Sequence, residues 1–226
     1  MVGSEIAVPV EINDILHVLA HELRTPVGIA HGYIRLLLED RLADSSERRR
    51  ALEQAQKALS RLTELSHEAT ALASHYEQER NRLQHLNAHD LAKHLSSAEY
   101  EYPVTVEMST LPNITLRTSD PDALVRALVA VVRATARELR GDACSVSMRG
   151  DARTVEVLAG PSEHLVGLAA GPESADAGPL ILERGGLGLA LVHAAVVLDA
   201  HGAKRWALKA SRQTAAIRFP LEELHS

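Results

Sequence analysis

Aromatic side chains make up only 3% of this 226-residue chain, with one Trp and one Phe. An aromatic-rich sandwich core is therefore excluded, and the interior must be built from Leu, Val and Ala. Cysteine is almost absent. Cys144 stands alone, so no intrachain disulfide can form, which fits a reducing cytoplasm. No run approaches the roughly 18–20 apolar residues of a membrane span. Met1 to Glu11 lacks the basic-then-apolar order of a signal peptide. The expectation is a cytoplasmic protein with no membrane contact. A surplus of positive charge is missing too: the formal net charge is −6, with acidic and basic residues interleaved, which argues against nucleic acid as a partner.

What remains is ordinary for a globular chain, with 46% hydrophobic and 24% charged residues. From Ile12 to about Asp40, apolar residues at Ile12, Leu16, Leu19, Leu23, Val27, Tyr33, Leu36 and Leu37 recur mostly in steps of three and four, which predicts a helix. Pro26 lies inside it and predicts a loosened turn near Ala20–Glu22. Asp44-Ser45-Ser46-Glu47 supplies turn and capping chemistry. A second helix follows from about Ser46 to Glu79, its stripe running through Leu52, Ala55, Leu59, Leu62, Leu65 or Ser66, Ala69, Leu72 and Tyr76. An antiparallel hairpin cannot hide two apolar stripes, so pairing of two copies into a four-helix bundle is expected.

The pattern changes after Asn87. Helices are predicted at Asp90–Ser97, at Asp120–Arg140 behind a Ser119-Asp120-Pro121 cap, and at Leu187–Leu198. Strands are predicted at Val104–Met108, Cys144–Arg149, Thr154–Leu158, Lys204–Lys209 and Thr214–Phe219. Residues 160–186 are rich in Gly, Ala, Pro, Glu and Ser and read as a long mobile loop. The chain thus divides into a helical hairpin over 1–82 and a mixed α/β domain over 83–226.

The segment most suggestive of chemistry is His21-Glu22-Leu23-Arg24-Thr25-Pro26, on the polar face of the first helix. A neutral imidazole is a nucleophile near physiological pH and can accept a phosphoryl group. Glu22 can take the proton of the far ring nitrogen or hold the tautomer. Arg24 can balance phosphate charge, and Thr25, one turn on, can orient a water or a phosphate oxygen.

In this setting the six residues resemble the H-box of the two-component sensor histidine kinases. The second half resembles the same family's ATP-binding domain, and Gly186-Leu187-Gly188-Leu189 looks like its glycine box, where Gly186 and Gly188 would let backbone approach phosphates. The resemblance implies a dimeric four-helix bundle followed by an α/β sandwich of the histidine-kinase ATPase type. It is uneven, however. The family's magnesium-binding asparagine falls on Ala130 or Ala134, and an alanine cannot coordinate magnesium. Its adenine-reading aspartate falls on Ala159, no phenylalanine box appears between Ser162 and Leu182, and the first glycine-box position is Arg184. Two such contacts at roughly 1.5–3 kcal/mol each would, if lost, weaken ATP binding by about two to four orders of magnitude.

The resemblance therefore implies a histidine phosphotransfer protein with a lapsed nucleotide site. It would be a homodimer that exchanges a phosphoryl group between His21 and the aspartate of a response-regulator receiver domain. Docking is expected beside Thr25, Gly28, Ile29 and Gly32. Phosphatase action on a receiver is a compatible side activity of Thr25. No cofactor is expected, with ATP and magnesium needed only under the alternative of an autophosphorylating kinase core. A third reading is a pseudokinase scaffold that binds a receiver without chemistry. The few residues before Ile12 hold no input domain, which fits a phosphotransfer protein or a piece of a longer kinase. The pair His17 and His21 and the group His85, His89 and His94 have zinc-like spacing but lack a completing cysteine or carboxylate, so no metal is expected. Trp206 and Cys144 read as core.

Overall fold

The computed structural model describes residues 12–42, 44–77, 84–108, 114–118, 120–151, 153–180 and 188–221. By contact the chain divides into two compact units, one of them Glu11–Gln78.

The first unit is an antiparallel pair of helices, α1 (Ile12–Leu38) and α2 (Ser45–Glu77). Asp44 opens α2, accepting hydrogen bonds from the backbone N–H and the hydroxyl of Ser46. Helix α1 continues unbroken through Pro26. The proline lacks an N–H and crowds the carbonyl four residues back, at Glu22, but the helix around it is held by its packing on α2. The stripes read from sequence merge two different faces. Ile15, Val18, Pro26 and Ala30 of α1 are buried, as are Ala51, Ala55, Ala58 and Leu65 of α2. Leu16 and Val27, expected inside, are exposed, and so are Leu52 and Leu59. Helical periodicity finds apolar faces but cannot say which of two adjacent ones a neighbour covers. The alanine series on α2 decides it here, because small side chains let α1 approach closely.

The second unit contains β1 (Gln84–Asn87), α3 (Ala88–Ser97), β2 (Val104–Met108), β3 (Thr115–Thr118), α4 (Pro121–Glu138), β4 (Cys144–Gly150), β5 (Thr154–Gly160), α5 (Ser162–Leu168), β6 (Ala177–Gly178), α6 (Gly188–Ala200), β7 (Lys204–Leu208) and β8 (Ser211–Pro220). Six strands form one sheet in the order β2-β4-β5-β8-β7-β6. The β2–β4 pair is parallel and the other pairs are antiparallel. A separate antiparallel ribbon joins β1 to β3, and neither strand carries enough alternation to be read from sequence. The caps read from sequence are in place, with Asp120 accepting from the Ala123 N–H and Pro121 in the first turn of α4.

Helices α3, α4 and α6 cover one face of the sheet around Leu91, Leu124, Leu128, Val157, Leu191, Val197 and Ile217. Cys144 belongs to this core. His201, just past α6, joins the layers. Its Nδ1–H donates to the Val197 carbonyl at 2.6 Å, and Nε2 accepts from the Thr118 hydroxyl at 2.7 Å.

The opposite face corrects the expectation of a mobile loop over 160–186 as far as residue 180, residues 181–186 lying outside the described residues. Residues 162–168 form α5, and Ala177–Gly178 pairs with β7 as the sheet's edge. The composition is that of a loop, yet Leu165 and Leu168 sit three apart and pack with Leu158, Trp206 and Ala216 in a second core. The indole Nε1–H of Trp206 donates to the Leu168 carbonyl at 3.2 Å, and Arg218 lies 5.3 Å from the ring centroid. On the same side Glu156 is buried between Arg149 and Arg218, at 2.6 Å from each. Among the described residues no helix is long and apolar enough to cross a membrane.

Leu168→Ala is expected to destabilise the second unit by about 2–5 kcal/mol, the ordinary cost of emptying a fully buried leucine site. Urea unfolding of the full chain measures it. A change within about 0.5 kcal/mol, as for an exposed loop residue, would mean that α5 is not packed.

Candidate functional site

His21, Glu22, Arg24 and Thr25 lie mid-way along α1, with His21, Arg24 and Thr25 on its exposed face. The His21 side chain is 70% exposed, open to an incoming group. Glu22 is turned inward and is only 20% exposed. Its carboxylate faces two ways. Oε1 stands 3.9 Å from His21 Nδ1, and Oε2 stands 3.8 Å from Nη2 of Arg61, on α2. The other terminal nitrogen of Arg61, Nη1, lies 3.2 Å from Glu64 and 3.3 Å from Glu68. Burial pushes the Glu68 carboxyl above the usual carboxylate range, outweighing the opposing pull of Arg61. One guanidinium thus serves three carboxylates.

Thr25 and Arg24 are exposed on the same stretch, and Pro26 is buried beneath them. A cavity of about 440 Å³ opens alongside, lined by Glu22, Thr25, Pro26, Ile29, Gln54, Lys57, Ala58 and Arg61. Gly28 and Gly32 are exposed, and a Cβ added to either meets nothing within 4 Å. Lys57, Arg61 and Glu68 escaped the sequence reading. Their spacings of four and seven residues put them on one helix face, but only the register between α1 and α2 brings that face to Glu22.

In the second unit, the positions at which the sequence resemblance would put nucleotide ligands are apolar. Ala134 has no exposure, Ala159 is 2% exposed, and both sit inside the main core. Ala130 is half-buried against it. Gly188 is buried at the start of α6, whereas Gly186 and Arg184 lie outside the described residues. Phe219 is buried in β8. Among the described residues, no group of three or more His, Cys, Asp or Glu is placed to hold a metal ion.

The sequence profile of the His Kinase A (phospho-acceptor) domain matches residues 11–75. Among curated proteins no sequence matches the chain. In fold, the chain is similar to the Acinetobacter baumannii histidine kinase AdeS, at 14% identity and a TM-score of 0.53, covering 91% of this chain and 98% of that one. It is also similar to the histidine kinase ThkA, solved in complex with the response regulator protein TrrA. That match has 16% identity and a TM-score of 0.53, covering 89% of this chain and 59% of the other. Identities this low speak to fold alone. Residues 11–75, which contain His21, thus match the model of the His Kinase A phospho-acceptor domain, and the chain has a fold similar to that of histidine kinase structures.

Proposed function

We propose that this protein is a two-component phosphotransferase, in which His21 accepts a phosphoryl group from a receiver-domain aspartate and donates it to another. The observation that carries this reading is a contrast between two sets of positions. His21 is exposed with a carboxylate beside Nδ1, while the positions corresponding to the metal-binding asparagine and the adenine-reading aspartate are buried alanines. A methyl in a packed core offers neither an oxygen to magnesium nor an acceptor to adenine. Chemistry at the histidine needs no nucleotide if the phosphoryl group arrives on a receiver.

The roles follow from position. His21 Nε2 attacks phosphorus, forming the N–P bond as the P–O bond to the aspartate breaks and its carboxylate leaves with the electron pair. Glu22 receives the Nδ1 proton. Arg24 balances charge on the phosphoryl oxygens. Thr25 orients an oxygen or a water. A receiver domain docks over Thr25, Gly28, Ile29 and Gly32, a recognition for which the ThkA–TrrA complex offers a parallel.

The same hairpin supports a homodimer. Leu16, Val27, Ile29, Ile34 and Leu38 of α1 and Leu52 and Leu59 of α2 account for seven of the eight exposed large hydrophobics among the described residues. So much uncovered apolar surface on one two-helix unit favours a second copy over water.

The purified protein incubated with labelled Mg-ATP is expected to gain no acid-labile label, and to gain it from a phosphorylated receiver. The receiver-derived label is expected to disappear in His21→Ala. Label from ATP that depends on His21 would make this an autophosphorylating kinase instead. Failure of both donors would leave a scaffold.

Replacing Leu52 and Leu59 together by Arg is expected to halve the mass seen by light scattering, because two charges cannot be buried in an apolar seam; an unchanged mass would sink that dimer face. Gly28→Arg with Gly32→Arg is expected to abolish receiver binding in calorimetry while the helix content in circular dichroism holds, since both positions are exposed and a Cβ at either meets nothing within 4 Å. A receiver that still binds the doubly substituted protein would move the docking surface elsewhere.

A further inference from the structure

A cation from the other helix stands beside Glu22. Each oxygen of the Glu22 carboxylate has its own partner, with Oε1 toward His21 Nδ1 at 3.9 Å and Oε2 toward Arg61 Nη2 at 3.8 Å. Arg61 is likewise divided. Nη1 is engaged by Glu64 and Glu68, while Nη2 is buried and makes no hydrogen bond of its own. Nη2 is thus held in reserve at the one carboxylate that also faces the histidine. An Arg guanidinium is planar and always charged, so anchoring one edge directs the other.

We propose that Arg61 is a positioning residue for phosphoryl transfer at His21: Nη2 holds Oε2 of Glu22 so that Oε1 stays aimed at Nδ1. The consequence is a choice of tautomer. With Oε1 beside it, Nδ1 carries the ring proton, which leaves the Nε2 lone pair free to attack phosphorus. When the N–P bond forms, the Nδ1 proton passes to Oε1, and the ring is left neutral. This inference rests on the phosphotransfer reading for its purpose, but the 3.8 Å approach of Arg61 to Glu22 does not depend on it.

The charges facing Arg61 are Glu22 from α1 and Glu64 and Glu68 from α2, with Lys57 lining the adjacent cavity. Glu68 is the competitor that matters most. It is partly buried, one of its oxygens has no hydrogen-bond partner, and burial raises its pKa. Removing its charge leaves more of the guanidinium to Glu22. Arg61 and Glu68 therefore act on the histidine in opposite directions.

The test is nitrogen NMR of the full chain with labelled histidine, the His21 signals being assigned by their loss in His21→Ala. At neutral pH the unphosphorylated protein is expected to show His21 mainly protonated on Nδ1. Arg61→Met is expected to shift it toward the Nε2–H form, with Arg61→Lys restoring part of the Nδ1–H population and Glu68→Gln raising it above the starting protein. Transfer from a phosphorylated receiver should fall by about tenfold to a hundredfold in Arg61→Met, a share of what a positioned acid–base group contributes. An unchanged tautomer ratio in Arg61→Met overturns the proposal. Should that variant fail to fold by circular dichroism, the proposal is overturned equally if Arg61→Lys and Glu68→Gln both leave the ratio unmoved. A ratio that responds in a protein unable to accept phosphate from any receiver would sink the phosphotransfer reading and keep the placement.

Discussion

The close packing of α1 on α2 is the constraint on which the chemistry of this protein depends. Ala51, Ala55 and Ala58 remove bulk from one face of α2, so α1 can settle against it through Ile15, Val18 and Ala30. Each alanine contributes little by transfer from water, but together they set the distance and register of the two helices. That register brings the buried side of α1, with Glu22, to Arg61, while the opposite side presents His21 to solvent. A larger residue at any of the three would push the helices apart and separate Glu22 from its cation.

The site is therefore assembled across a helix pair, and its polarity is concentrated where the apolar seam is interrupted. One guanidinium is shared by three carboxylates, two on one terminal nitrogen and one facing the other. Such a cluster is a poor source of stability, since partly buried charges lose hydration that their partners offset only in part. It is well suited to orientation, because each group's position depends on what the others are doing. The exposed leucines of the same hairpin follow a separate logic and occupy a face that α1 and α2 do not cover for each other.

The second unit shows the reverse arrangement. Its sheet is covered on both sides, by α3, α4 and α6 on one and by α5 with the Trp206 cluster on the other. Glu156 between Arg149 and Arg218 ties the second covering down. The alanines at 134 and 159, where the resemblance would put nucleotide ligands, belong to the first of these cores and serve packing. The chain segment after β5 is committed in the same way to the sheet face it covers.

Much of this was legible in the residues themselves. The two long helices, the change of pattern after Asn87, the cap at Asp120 and the six-residue motif at His21 all depend on local chemistry, and local chemistry is written in order along the chain. The missing asparagine in α4 was equally readable. Helix α5 was not, because a seven-residue element in a Gly- and Pro-rich stretch is helical only by virtue of the sheet beneath Leu165 and Leu168. The β1–β3 ribbon was hidden for the same reason, since its two short strands are stabilised by each other across a long sequence separation. Nor could periodicity tell which apolar face of α1 meets α2, or that Arg61 reaches Glu22 rather than solvent. Those outcomes are set by register between distant segments, a quantity that no local pattern contains. The sequence by itself singled out His21 as the proposed phosphoryl acceptor; tertiary packing decided what stands beside it.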